Sequence, residues 1–130
     1  MNARTLANQY RQTGVSSATL DASPHRLISL LLAGARERAR LAAACLERGD
    51  LPRKSKAISD ASAIIGGLNG ALNLEAGGEI ADGLQALYDY AQRRLLAANL
   101  ENDPAPLREV DDLLGDIESA WLAIAPPEAA

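Results

Sequence analysis

Phenylalanine is absent from this 130-residue chain, and histidine, cysteine and tryptophan occur once each. A single cysteine, Cys45, excludes an intrachain disulfide and fits a reducing compartment. A single histidine, His25, leaves no clustered set of metal ligands, and the Glu-x-x-His pairs that build di-iron sites in helical bundles are missing. No apolar run is long enough to span a bilayer. Met1 to Tyr10 has no apolar stretch of the secretory type, so a soluble cytoplasmic protein is expected, with no membrane insertion. Basic residues are outnumbered: 13 Lys and Arg stand against 17 Asp and Glu, a net charge of −4. They are also spread along the chain, so no nucleic-acid surface is expected.

What is present is helix-forming. The apolar residues, 48% of the chain, are mostly alanine and leucine, with few β-branched residues. Alanine and leucine favour helix and disfavour strand. Four segments carry helical apolar stripes. The first, about 24–48, starts at Ser23-Pro24, a cap followed by the residue best suited to the first helical position. Its stripe runs Leu27, Leu31, Ala35, Ala39, Ala42 and Leu46. The second, about 52–74, carries Ile58, Ala61, Ile65, Leu68 and Leu72, interrupted by Gly66, Gly67 and Gly70, where either a neighbouring helix passes close or a slot admits a partner's backbone or side chain. The third, about 79–101, opens after Gly77-Gly78 and carries Ile80, Leu84, Leu87, Ala91, Leu95 and Ala98, with Tyr88 flanking. The fourth, about 104–124, repeats Leu107, Val110, Leu114, Ile117, Trp121 and Ile124 at heptad spacing.

Short connections between helices of roughly 30 Å favour antiparallel neighbours. The expectation is all-α: an antiparallel up-and-down four-helix bundle over 22–125, with an N-terminal segment at 1–21 and a tail at 126–130. In the N-terminal segment Leu6 and Tyr10 are four apart, a spacing that allows one short amphipathic helix, so the segment reads either as a frayed, mobile terminus or as a piece that docks a small apolar face on the bundle.

Chemistry-bearing residues are sparse. His25, in the first turn of its helix, reads as solvent-facing, and Cys45 reads as a structural thiol beside an apolar stripe. Asp89 and Arg93 are spaced to pair, and Asn99 has the tolerance for a left-handed helix end. Asp111, Asp112, Asp116 and Glu118 make the fourth helix acidic outside its stripe, a solvated face or a docking face for a basic partner. Gly66-Gly67 and Gly77-Gly78 lack the lysine and the strand context of a phosphate loop. No enzyme and no cofactor are expected. A small acidic bundle without a reactive centre is expected to bind another protein through an apolar face.

The stretch GGEIADGLQALYDYAQRRLLAAN, Gly77 to Asn99, resembles the signature of the FliS family of flagellin export chaperones. ASPHRLISLLLAGA, Ala22 to Ala35, resembles the family's first-helix start, and NQYRQTGV, Asn8 to Val15, its N-terminal tyrosine segment. The resemblance implies a partner: the disordered C-terminal segment of flagellin, held against premature polymerisation and delivered to the cytoplasmic domain of the type III export gate. It also implies that Leu6 and Tyr10 lie on a cap that moves aside. Ile64, Leu68, Leu72 and Tyr88 are the bundle residues expected to meet flagellin. Some relatives also bind an anti-sigma factor, which the resemblance leaves open here. The alternative is a self-associating structural or regulatory bundle, against a monomer or weak homodimer for the chaperone.

Overall fold

The computed structural model describes residues 23–72 and 74–124, with the backbone alone at 74–77. Leu6, Tyr10 and the tail after Ile124 lie outside the described residues. Four helices follow one another: α1 (Pro24–Glu47), α2 (Leu51–Gly70), α3 (Leu74–Glu101) and α4 (Ala105–Ala123). α1 packs on α2 and α4, and α3 packs on the same two, so the helices occupy the corners of a square in chain order. Side-chain ties fix the directions. Lys54 near the start of α2 reaches Asn99 near the end of α3, and Ser62 meets Gln92 midway. Arg108 near the start of α4 lies 3.9 Å from Glu47 at the end of α1.

Local chemistry sets the helix ends. Ser23 Oγ accepts from the Arg26 amide at 3.2 Å, and Pro24 follows it, which starts α1. At the other end Gly49 adopts φ +73°, its amide bonding Leu46 O while the Asp50 amide bonds Cys45 O. That double closure needs a left-handed residue, which glycine supplies without strain. Asp50 then caps α2 through the Arg53 amide. Asn102, not Asn99, takes the left-handed conformation that ends α3, at φ 52°. Asn99 stays helical because Lys54 uses its carbonyl and its side chain. Within α3 the helix breaks at Gly78, whose φ of 53° and ψ of −131° belong to glycine. One short turn precedes that break, so the regular part of α3 starts where the glycine pair predicts.

One end of the core is richer in small residues: toward Lys54–Asn99, Ala39, Ala42, Ala57, Ala61, Ala91 and Ala98, all 2% exposed or less, share it with Ile58, Leu95 and Leu107. Alanine lets helix backbones approach closely. Toward the other end the buried residues are larger: Leu27, Leu31, Leu32, Ile64, Ile65 and Leu68. Cys45, expected half-buried, is fully buried, with Arg48 Nη2 3.7 Å from its Sγ. Gly67 is buried, and a Cβ on Gly66 would lie 3.9 Å from Gln92 Nε2, an ordinary packing distance to α3.

Several polar residues sit differently from the sequence expectation. His25 is half-buried and not a solvated surface residue, because its ring stacks on Trp121 with centroids 4.5 Å apart. Asp89 accepts from Asn69 Nδ2 at 2.9 Å, and Arg93 lies over the Tyr90 ring, in place of an Asp89–Arg93 pair. Asp111 and Glu118 are not solvated acids: Arg36 of α1 bonds them at 2.7 and 2.8 Å. Among the described residues no helix is long and apolar enough to cross a membrane.

Candidate functional site

The buried face of α3 is Ala81, Tyr88, Ala91, Leu95 and Ala98, a 3-4 repeat with Leu84 partly buried beside it. Ile80 and Leu87, expected in the core, are rotated away from that face and are 77% and 38% exposed. The two readings differ by one residue around the helix, because α3 carries two adjacent apolar tracks where a core face needs one.

The second track lines a groove of about 890 Å³ between α3 and α4, at the wide end of the bundle. Ile80, Leu84 and Leu87 form one wall. Leu113, Ile117 and Trp121 of α4, with its C-cap Ile124, form the other. Ile28 and Leu32 of α1, Leu68 of α2 and Leu72 just beyond it lie across the base. Trp121, placed by its heptad position in the core, is only half-buried, and Ile124 is 66% exposed. Asp116 is the one charged side chain in the lining.

The depth of the groove follows from how the α3–α4 seam is held. At the narrow end the seam is closed by a polar clasp: Tyr90 Oη donates to Glu109 Oε2 at 2.8 Å and Arg94 Nε to Glu109 Oε1 at 2.6 Å. The Tyr90 hydroxyl, then the Arg94 guanidinium, hold the Glu109 carboxyl below the usual carboxylate range, and the same hydrogen bond raises the Tyr90 phenol. One turn beyond Tyr90 toward the wide end the clasp stops and the apolar walls begin. There Trp121 is held from behind: Nε1 donates to His25 O at 2.9 Å while the rings stack. The Trp face is thereby fixed as part of the wall.

Of the residues the sequence marks for partner binding, Leu68, Leu72 and Tyr88 line this groove. Tyr88 is 3% exposed, and burial pushes its phenol up to about 12. Ile64 is 1% exposed and packs in the core one turn from Leu68, outside the lining. Sequence reasoning missed the other lining residues as a group. Their signal was the excess of apolar positions on α3 and the run to Ile124 on α4. Among the described residues no cluster of His, Cys, Asp or Glu could hold a metal ion.

The family model "Flagellar protein FliS" matches residues 6–128. The chain is 48% identical over 118 residues to the flagellar secretion chaperone FliS of Salmonella typhimurium, covering 90% of this chain and 87% of that one. It is 43% identical over 125 residues to the flagellar secretion chaperone FliSB of Pseudomonas aeruginosa, covering 96% and 99%. The FliS chaperone of Bacillus subtilis is 38% identical over 112 residues, 86% of this chain and 80% of that one. With a helical bundle, an open apolar groove and matches across most of its length, the chain belongs to the FliS family of flagellar secretion chaperones.

Proposed function

We propose that the α3–α4 groove receives the C-terminal segment of flagellin as an amphipathic helix in the cytoplasm. The observation that carries this reading is the groove itself. Ile80, Leu87 and Ile124, 77%, 38% and 66% exposed, join the other lining residues in one contiguous apolar surface, and a contiguous surface of this kind, unlike a single exposed leucine, marks an interaction site. A helix laid in a groove presents apolar residues every three or four positions, which suits two apolar walls on one base. Flagellin's terminal segments polymerise through apolar helical faces. Covering such a face blocks premature assembly, and the segment becomes ordered only when it binds.

In this reading Leu72 meets the segment directly, Leu68 and Tyr88 form the nearly buried floor beneath it, and Ile64 packs in the core one turn from Leu68. Leu6 and Tyr10 belong to a cap that covers the groove until flagellin displaces it. The loaded complex then docks on the cytoplasmic domain of the export gate, and no catalysis is involved. Calorimetric titration with the C-terminal flagellin segment of the same organism tests it. One-to-one binding with a negative heat-capacity change supports coupled folding and apolar burial. A tight homodimer that ignores the segment would instead make the groove a self-association surface.

A further inference from the structure

Asp116 is out of place in its surroundings. It stands on the groove wall with Leu113 three residues before it, Ile117 beside it and Ala120 four residues after, so apolar side chains flank it along α4. The other acids of this helix that approach a neighbouring helix are neutralised. Asp111 and Glu118 share Arg36, and Glu109 binds Arg94 and Tyr90. Asp116 makes no hydrogen bond or ion pair with any described residue, and neither does Asp112 one turn before it. Both are exposed, so in the free protein water solvates them.

That solvation ends for Asp116 when an apolar segment fills the groove. A carboxylate stripped of water and left unpaired is strongly unfavourable, whereas one facing a cation recovers much of the loss. Aspartate has a single methylene and cannot reach around its neighbours to stay wet, as lysine or arginine can. The chain's net charge of −4, with Asp112 beside the site, adds attraction for a cation at longer range.

We propose that the segment filling the groove carries a lysine or arginine that pairs with Asp116, and that this pair sets the segment's register and selects it from other apolar helices. The proposal rests on the groove reading above. Apolar walls tolerate a helix sliding by one turn, and a charge at one point on them does not. Asp116 is thus a specificity residue, and the walls supply most of the affinity.

The test is a double-mutant cycle with the full chain and the synthetic C-terminal segment of the same organism's flagellin. Asp116→Asn is expected to weaken binding about tenfold at low salt, with the loss shrinking as salt rises. Each lysine and arginine of the segment is then changed in turn to glutamine. One of them is expected to weaken binding by a similar factor and to have no further effect on the Asp116→Asn protein. Asp116→Arg should bind the segment poorly and recover with the variant carrying glutamate at that same position. The segment-side changes keep the test independent of how the Asp116 variants fold. Unchanged affinity and salt dependence for Asp116→Asn, or no segment position coupled to it, overturns the proposal while leaving the groove reading intact. If the segment does not bind the unaltered chain at all, the groove reading fails and this inference fails with it.

Discussion

Trp121 and His25 are joined twice: the indole Nε1 donates to the His25 carbonyl at 2.9 Å, and the two rings stack 4.5 Å apart and 12° from parallel. They are 96 residues apart in sequence, so the pair fastens the end of α4 to the start of α1. Trp121→Phe keeps an aromatic wall but deletes the N–H and leaves the carbonyl to find water. The expected cost is about 1 kcal/mol, read from the urea midpoint at unchanged slope. Trp121 is the only tryptophan. Its emission should therefore shift to the blue as the groove fills, without any added label.

Gly115 is where Arg36 crosses onto α4. A Cβ at Gly115 would lie 2.9 Å from Arg36 Cζ and 3.0 Å from Nη2, closer than the two can stand. Gly115→Ala should therefore push the guanidinium off Asp111 and Glu118. Alanine contributes about 1 kcal/mol through helix propensity, and the lost charged hydrogen bonds cost roughly 1.5–3 kcal/mol. Net destabilisation by chemical denaturation is expected. In an Arg36→Ala background the same substitution should become stabilising, because the clash is gone.

Lys54 is a buried cation, 4% exposed, whose Nζ donates to Asn99 O at 3.1 Å and Asn99 Oδ1 at 2.7 Å. It satisfies a carbonyl near the C-terminus of α3, where the helix dipole favours positive charge. Lys54→Met keeps the apolar stem and removes both donors. The expected loss is about 1–3 kcal/mol in thermal or urea unfolding. Lys56→Met on the exposed side of α2, where the pair with Asp60 is a surface pair, should change stability by less than about 1 kcal/mol.

The bundle was legible in the sequence because its signals are periodic and local. Ser23-Pro24, Gly49 and the Gly77-Gly78 pair act within a few residues of themselves, and the structure places breaks at each. The groove was less legible. Whether Ile80 and Leu87 face a core or open space depends on how far α3 and α4 stand apart. That distance depends on the side chains packed between them from all four helices. Periodicity on one helix does not contain it. The same holds for His25 and for Asp111: each is solvated or buried according to a partner at least 75 residues away.

Tyr88 makes stability depend on alkaline pH. Burial raises its phenol to about 12, above the value of about 10 expected when unfolded. The neutral phenol therefore contributes stability that is complete below pH 10 and is lost as pH rises through 12. Tyr88→Phe should leave the melting temperature nearly unchanged at pH 7. Its advantage over the unaltered protein should appear and grow between pH 10 and 12, in melting curves followed by circular dichroism. A constant difference at all pH values would place the Tyr88 hydroxyl in water.

If the α3–α4 groove holds the exported segment, a charge at Ile80 must disturb binding more than folding. Ile80 is 77% exposed on the groove wall, so Ile80→Asp should leave the melting temperature within a few degrees of the unaltered protein. Affinity for the C-terminal flagellin segment, measured by the Trp121 signal or calorimetry, should fall at least about tenfold, because a carboxylate would replace an apolar contact buried by the segment. Unchanged affinity in a folded Ile80→Asp protein would contradict the account and move the binding face elsewhere on the bundle.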